Sequence, residues 1–148
     1  MLFIKQILAK ETYPLRLSVL KTCDEYVYQY QGDFDKRTVH FGVFSQDILV
    51  GIVTVMEKIH HSLKGKQFQL RGMAVHKSFQ KKGIGAKLVE KVKAYCIEQK
   101  TSFLWCNARE KAVSFYKKQG FKAQSDVFYI EHVGNHFMMV FGFHAPSC

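Results

Sequence analysis

Proline is nearly missing from this chain, with two in 148 residues beside ten glycines and one tryptophan. That scarcity excludes fibrous and linker-rich architectures. No apolar run approaches the ~18 residues that a membrane-crossing helix needs, so no membrane partner is expected. The N-terminal stretch MLFIKQILAK is too short and too charged to read as a secretory signal. The four cysteines, Cys23, Cys96, Cys106 and Cys148, show no CxxC spacing and no paired pattern. Reduced thiols and a cytoplasmic protein are the expectation. The histidines at His60-His61 and His132…His136 do not complete a set of three or four ligands, so no metal is expected either. Acids are the other shortage: 12 Asp and Glu stand against 22 Lys and Arg, for a net charge of +10.

What is present is an ordinary globular balance, 47% apolar and 23% charged. A chain of this length reads as one domain, residues 1–148, able to bury a core without disulfide or metal. The charge is unevenly spread. Between Lys58 and Val89 stand Lys58, Lys64, Lys66, Arg71, Lys77, Lys81, Lys82 and Lys87, with no acid among them. Such a field attracts a polyanion, either nucleic acid or a phosphorylated cofactor. No recognition-helix or aromatic-sheet signature accompanies it, so nucleic acid is not expected as a partner. Cys23 to Asp35 is the counterpart, holding Asp24, Glu25, Asp33 and Asp35 among Tyr26, Tyr28, Tyr30 and Phe34. It reads as a solvated loop or as the seat of a cationic amine.

Hydrophobic periodicity divides the chain into short elements. Strands are expected over 2–8, 38–44, 48–56, 67–75, 102–106, 123–130 and 136–143, with a hairpin turn at Ser45-Gln46-Asp47 and another at Gly134-Asn135. Thr12 is placed to cap a helix with Pro14 in its first turn. Ile84, Leu88, Val89, Val92, Tyr95 and Cys96 make the apolar stripe of an amphipathic helix within 83–100, and a second helix covers 110–119 with Gly120 at its C-terminal cap. The order predicts an α+β fold with a mostly antiparallel sheet.

The segment with most chemistry in it is Met73-Ala74-Val75-His76-Lys77-Ser78-Phe79-Gln80-Lys81-Lys82-Gly83-Ile84-Gly85-Ala86, which runs strand, loop, glycine pair, helix. A glycine-rich turn aims successive backbone N–H groups into one space, and the helix N-terminus adds its unpaired donors and dipole. The product is an anion site suited to pyrophosphate. The Walker A pattern fails, since no Gly-Lys-Ser/Thr follows Gly83 at the required distance. The dinucleotide fingerprint fails too, with Leu88 at its third glycine and no acid on the next strand, SFLWCN.

Gln80-Lys81-Lys82-Gly83-Ile84-Gly85 does fit the pattern Gln/Arg-x-x-Gly-x-Gly/Ala. With Asn107 and the downstream Phe115-Tyr116-Lys117-Lys118-Gln119-Gly120-Phe121, the chain resembles the GNAT superfamily of acetyl-CoA-dependent N-acetyltransferases over nearly its whole length. A further likeness, to small uncharacterised bacterial members of that family, rests on Glu11-Thr12-Tyr13-Pro14-Leu15-Arg16, Trp105-Cys106-Asn107-Ala108-Arg109 and Glu131…Gly134…His136. The resemblance implies a GNAT-like fold, a mixed six- to seven-stranded sheet with helices on both faces. It implies that strands 67–75 and 102–107 splay apart and receive the pantetheine arm of acetyl-CoA beside Met73, Ala74 and Val75. Gln80, Lys81, Lys82, Gly83, Ile84, Gly85 and Ala86 are then expected to hold the pyrophosphate, with Lys81 and Lys82 neutralising phosphate charge. Donors near a bulge at Gly72 are expected to polarise the thioester carbonyl. Tyr116 matches the family tyrosine that faces the cofactor sulfur and is expected to act as general acid; Asn107 is expected to cap a helix or bond the pantetheine arm.

The general base is open between Glu57, His40, Glu131, His136 and water. Cys106 reads as a core thiol, which favours direct transfer in a ternary complex over an acetyl-cysteine. The expected function is transfer of acetyl from acetyl-CoA to a primary amine on a small molecule or peptide. The alternative is a non-catalytic acyl-CoA sensor on the same fold. The aromatic final hairpin, Phe128, Tyr129, Phe137, Phe141 and Phe143, leaves a homodimer open.

Overall fold

In the computed structural model, which describes residues 1–144, eight strands form one sheet in the order β1-β2-β3-β4-β5-β8-β6, with β7 paired to β8. Strands β1 (Leu2–Ile7), β2 (Thr38–Ser45), β3 (Ile48–Glu57) and β4 (Gln67–Val75) make an antiparallel meander. The tight β2–β3 turn is closed by Gln46 and Asp47, both at positive φ (49° and 66°), the twist that two-residue hairpins require. Strand β5 (Phe103–Arg109) runs parallel to β4 and antiparallel to β8 (Gly134–Gly142).

Alternation sorts the side chains to two faces. Val39, Phe41, Val43, Val53, Val55, Phe68, Leu70, Leu104, Cys106 and Met139 point to one face and pack under helices α2 (Ile84–Glu98) and α3 (Val113–Lys118). The α2 stripe Ile84, Leu88, Val89, Val92 and Cys96 is buried in that core. The opposite face carries a helical segment made of a 3-10 turn (Ala9–Thr12), a short α1 (Tyr13–Leu15) and a π turn (Arg16–Leu20), followed by an irregular loop to residue 37. Among the described residues no helix is long and apolar enough to cross a membrane.

Three local expectations are corrected. Thr12 is no N-cap: the helical segment starts at Ala9, the Thr12 hydroxyl donates to Ala9 O at 2.6 Å, and the entry N–H of Leu8 is taken by Glu11 Oε2 at 2.6 Å. The strand expected over 123–130 is two strands, β6 (Lys122–Ala123) and β7 (Phe128–Ile130). Between them the Ser125 hydroxyl accepts from the Met138 N–H at 3.0 Å and so replaces a ladder carbonyl. The final turn lies at 131–133, where Val133 N–H bonds Ile130 O at 3.0 Å; Gly134 and Asn135 already belong to β8, paired with Ile130 and Tyr129.

The loop from 21 to 37 has no ladder of its own and is held by one buried cation. Arg16, fully buried, donates to both carboxylate oxygens of Asp33 at 2.8 and 3.0 Å, to Tyr28 O at 2.8 Å and to Thr54 Oγ1 at 2.9 Å. Its guanidinium also lies 3.8 Å from the Tyr30 ring centroid. His40 completes the set, with Nε2 on Asp33 O at 2.9 Å and Nδ1 on Thr54 Oγ1 at 2.7 Å. A carbonyl only accepts, so Nε2 carries the proton and Nδ1 receives the Thr54 hydroxyl hydrogen. Burial holds His40 below the ordinary histidine value, which keeps this neutral tautomer. Removing one partner of such a pair leaves a buried charge uncompensated. Asp33→Ala is therefore expected to destabilise the fold by about 3–5 kcal/mol, read as a lowered urea midpoint.

Candidate active site

Strands β4 and β5 pair only at Gln67↔Phe103, Phe68↔Leu104 and Gln69↔Trp105. Beyond Gln69 they diverge, while β5 stays paired with β8 as far as Arg109↔His136. The gap between the diverging ends is a cleft of about 1190 Å3. Its β4 wall (Arg71, Gly72, Met73, Ala74, Val75) shows an unpaired backbone edge toward β5, and a free edge is a template for an extended ligand. The register of β4 against β3 shifts between Ile52 and Thr54, so Gly72 and Met73 both stand opposite Val53 in a bulge. Gly72 takes φ +58°, and a Cβ there would stand 2.8 Å from Tyr30 Cε2.

The cleft ends against the loop before α2. Lys81 (φ 62°) and Gly83 (φ 80°) are left-handed, which turns the chain sharply into the helix. Gly83, the N-cap, offers no side chain to the first-turn N–H groups of the 15-residue α2, so those donors face the cleft. Gly85 serves a close approach instead: a Cβ there would lie 3.2 Å from Phe115 Cζ. Gln80 ties the loop down by donating to Val75 O at 2.9 Å. Met73, Ala74, Val75, Gln80, Lys81, Gly83, Ile84, Gly85, Ala86, Asn107 and Tyr116 all line the cleft, whereas Lys82 does not and lays its ammonium 5.3 Å from the Phe79 ring centroid.

Tyr116 is placed by the end of α3. Gly120 (φ 91°) closes the helix, Phe121 N–H bonds Tyr116 O at 3.0 Å, and the Phe115 and Phe121 rings meet Tyr116 edge-on. Burial first, with the neighbouring Cys106 adding to it, holds the Tyr116 hydroxyl well above the ordinary tyrosine value, so it remains a proton donor. Cys106 also reaches the cleft wall, but burial pushes its thiol up and away from the thiolate form that a nucleophile needs. Asn107 caps no helix: the residue before α3 is Ala112 and the one before the 3-10 turn Glu110–Ala112 is Arg109. It sits exposed in the cleft on the face opposite Cys106.

This arrangement can be tested for coenzyme A. Gln69 lines the cleft where the strands part, and its buried Oε1 has no hydrogen-bond partner among the described residues, an acceptor suited to an amide N–H of a pantetheine arm. The unpaired β4 edge and the uncapped α2 N-terminus supply the rest of an extended, phosphate-ended seat.

A family model for the acetyltransferase (GNAT) domain matches residues 11–140. The chain belongs to the GNAT acetyltransferase family. It is 28% identical over 141 residues to YitI of Bacillus subtilis (strain 168), described as an uncharacterized N-acetyltransferase, across 94% of this chain and 95% of that protein. Among solved structures it is similar to FeeM, an N-acyl amino acid synthase from uncultured soil microbes (TM-score 0.79, 12% identity, 96% of this chain and 91% of that one). It is also similar to an aminoglycoside 6'-N-acetyltransferase complexed with coenzyme A (TM-score 0.74, 15% identity, 98% and 99%).

Within this GNAT domain the four base candidates separate. Glu57 stands at the far end of β3, opposite Phe68, in ion pairs with Arg37 at 3.2 Å and Lys66 at 4.0 Å. His40 is occupied in the Arg16 network. Glu131 and His136 both line the cleft. Glu131 is 84% exposed and lies 3.8 Å from His132. His136 is buried, stacks on Phe128 and bonds Gly134 O through Nδ1 at 2.7 Å. Since that carbonyl accepts, Nδ1 carries the hydrogen and Nε2 keeps its lone pair.

The wall opposite the helices differs from the cation seat considered above. Asp33 is bound by Arg16, Asp24 pairs with Lys21 at 3.4 Å, and Asp35 is exposed; of the four acids only Glu25 lines the cleft. Tyr26 and Tyr30 join their hydroxyls at 2.6 Å, and Arg71 and Arg109 flank them. Gln69, Arg71 and Arg109 were not read as site residues in the sequence, yet alternation marks them: with Phe68, Leu70, Cys106 and Ala108 in the core, their neighbours face the other way. At the mouth, donor atoms of Cys23, Glu25 and His132 lie within 4.8 Å of one another, fewer than a closed zinc set and open to solvent.

Gly72→Ala is expected to cost about 1–2 kcal/mol in backbone strain alone. It must also push the Tyr30 ring aside, which a lowered urea midpoint and an altered near-UV tyrosine signal would record.

Proposed function

We propose that this chain transfers the acetyl group of acetyl-CoA to a primary amine by direct attack in a ternary complex. The observation that carries the reading is the cleft itself: a free β4 edge leads from the orphaned Gln69 acceptor to the uncapped N-terminus of α2, with Tyr116 and His136 on its walls. Acetyl-CoA, as substrate, supplies a thioester carbonyl carbon open to attack by nitrogen.

The protein's residues do the rest. The N–H groups from Lys81 to Ala86 and the dipole of α2 hold the pyrophosphate, with Lys81 adding charge. Backbone donors at the Gly72–Met73 bulge face the carbonyl oxygen where charge develops. His136 Nε2 takes a proton from the acceptor amine as the N–C bond forms. The C–S bond breaks, and the Tyr116 hydroxyl gives its proton to the departing sulfur. Burial first, and the Arg109 charge after the opposing Gly134 hydrogen bond, hold His136 below the ordinary histidine value of 6.5, so it is neutral and competent at pH 7. Phe128, stacked on the ring, keeps it aimed.

The test is thiol release from acetyl-CoA against a panel of amines. Tyr116→Phe is expected to lower kcat on the order of 100-fold while acetyl-CoA still binds. In the wild type, kcat should fall on an acid limb displaced below the ordinary histidine value, because the neutral imidazole is lost there; His136→Gln should lower kcat and flatten that limb. Acetyl-CoA binding without turnover on any amine would favour a sensor, and no binding at all would overturn the reading.

A further inference from the structure

The acceptor side of the cleft carries two guanidinium groups with no carboxylate partner. Arg71, on β4 just before the bulge, lies 4.3 Å from the Tyr30 ring centroid. Arg109, at the end of β5, lies 5.9 Å from the Tyr26 ring centroid and donates one N–H to Leu20 O at 2.7 Å. The two tyrosines are joined hydroxyl to hydroxyl at 2.6 Å, so the cations bracket a single aromatic pair. Both arginines are half-buried in the cleft wall, and neither forms an ion pair among the described residues.

The groups around them do not supply the missing charge. Arg16 is already neutralised by Asp33. His40 and His136 are held neutral by burial, and burial keeps the Tyr26 hydroxyl protonated. The two acids at the cleft, Glu25 and Glu131, stand exposed beside Cys23 and His132 at the mouth. A guanidinium that is partly desolvated and unpaired is a strong site for a carboxylate, which its planar fork binds through two parallel hydrogen bonds. The same two charges disfavour an ammonium nearby and so favour the neutral, nucleophilic form of an amine held beside them.

We propose that the acceptor is a small amine that also carries a carboxylate, an amino acid or a close analogue, with the carboxylate held between Arg71 and Arg109 and the amine directed toward His136 and the β4 bulge. This rests on the acyl-transfer reading above. It excludes polyamines as preferred acceptors, since they bring only positive charge to a positive wall.

The test is a panel of free amino acids, each against its own carboxamide, with spermidine as a polycation, at saturating acetyl-CoA. The wild type is expected to prefer acids over amides by about 10- to 100-fold in kcat/KM, the range that charge-assisted hydrogen bonds give. In Arg71→Gln and in Arg109→Gln that ratio should collapse toward one. A purely structural role would lower acids and amides together and leave the ratio standing. The thermal midpoint and acetyl-CoA affinity of each variant separate lost acceptor binding from a lost fold. Equal use of acids and amides, preference for spermidine, an unchanged ratio in both variants, or bound acetyl-CoA with no turnover of any panel member would each overturn the inference. Failure to bind acetyl-CoA would instead overturn the acyl-transfer reading beneath it.

Discussion

One buried guanidinium organises the acceptor half of this molecule. The loop from 21 to 37 has neither helix nor ladder, and it is fixed because Arg16 reaches Tyr28, Asp33 and Thr54 at once and stacks on Tyr30. Taking that charge out of water is costly, and it is tolerated only because nearly every donor is met. The exception is Arg16 Nε, which has no partner among the described residues and lies beside Gly72, the residue that forms the β4 bulge. Thus the clamp that holds the loop also abuts the bulge that shapes the cleft. Donor and acceptor walls are positioned by the same cation.

The sheet then divides the chemistry by face. Side chains toward α2 and α3 fill the core and bring Tyr116 to the cleft from that side; side chains toward the loop bring Gln69, Arg71, Asn107, Arg109 and His136 from the other. A reaction between two substrates needs them to meet from separate directions, and a gap running through a sheet provides two entrances to one point. The glycine loop and the tyrosine–arginine wall therefore do not compete for space.

The order of elements, the α2 stripe and the glycine loop were legible in the sequence because each depends on local pattern. Periodicity of 2 or 3.6 and left-handed glycines need no knowledge of the partner. The losses came where a side chain replaced backbone pairing. Ser125 breaks the strand expected over 123–130, and Thr12 bonds inward where it was read as a cap. The acceptor wall was illegible for a different reason. Asp24, Glu25, Asp33 and Asp35 read as an acidic patch only when Arg16, 17 residues before Asp33, is left out. Charge counted along the chain is not charge counted in space. His136 and Glu57 looked equivalent as titratable strand residues, and only their strand neighbours distinguish a cleft-lining imidazole from a surface carboxylate.

The three rungs between β4 and β5 have a mechanical meaning. Strands β1–β4 form one plate and β5–β8 another, each ladder-bonded along its length, and the plates meet in the sheet only at Gln67, Phe68 and Gln69. Above that short seam no ladder bond joins the plates, like the open jaws of a clothes peg, and α2 packs behind β2, β3 and β4 on one of them. Any extended ligand that takes up the open rungs acts as a rivet. Filling the cleft and joining the two halves of the sheet are then one event.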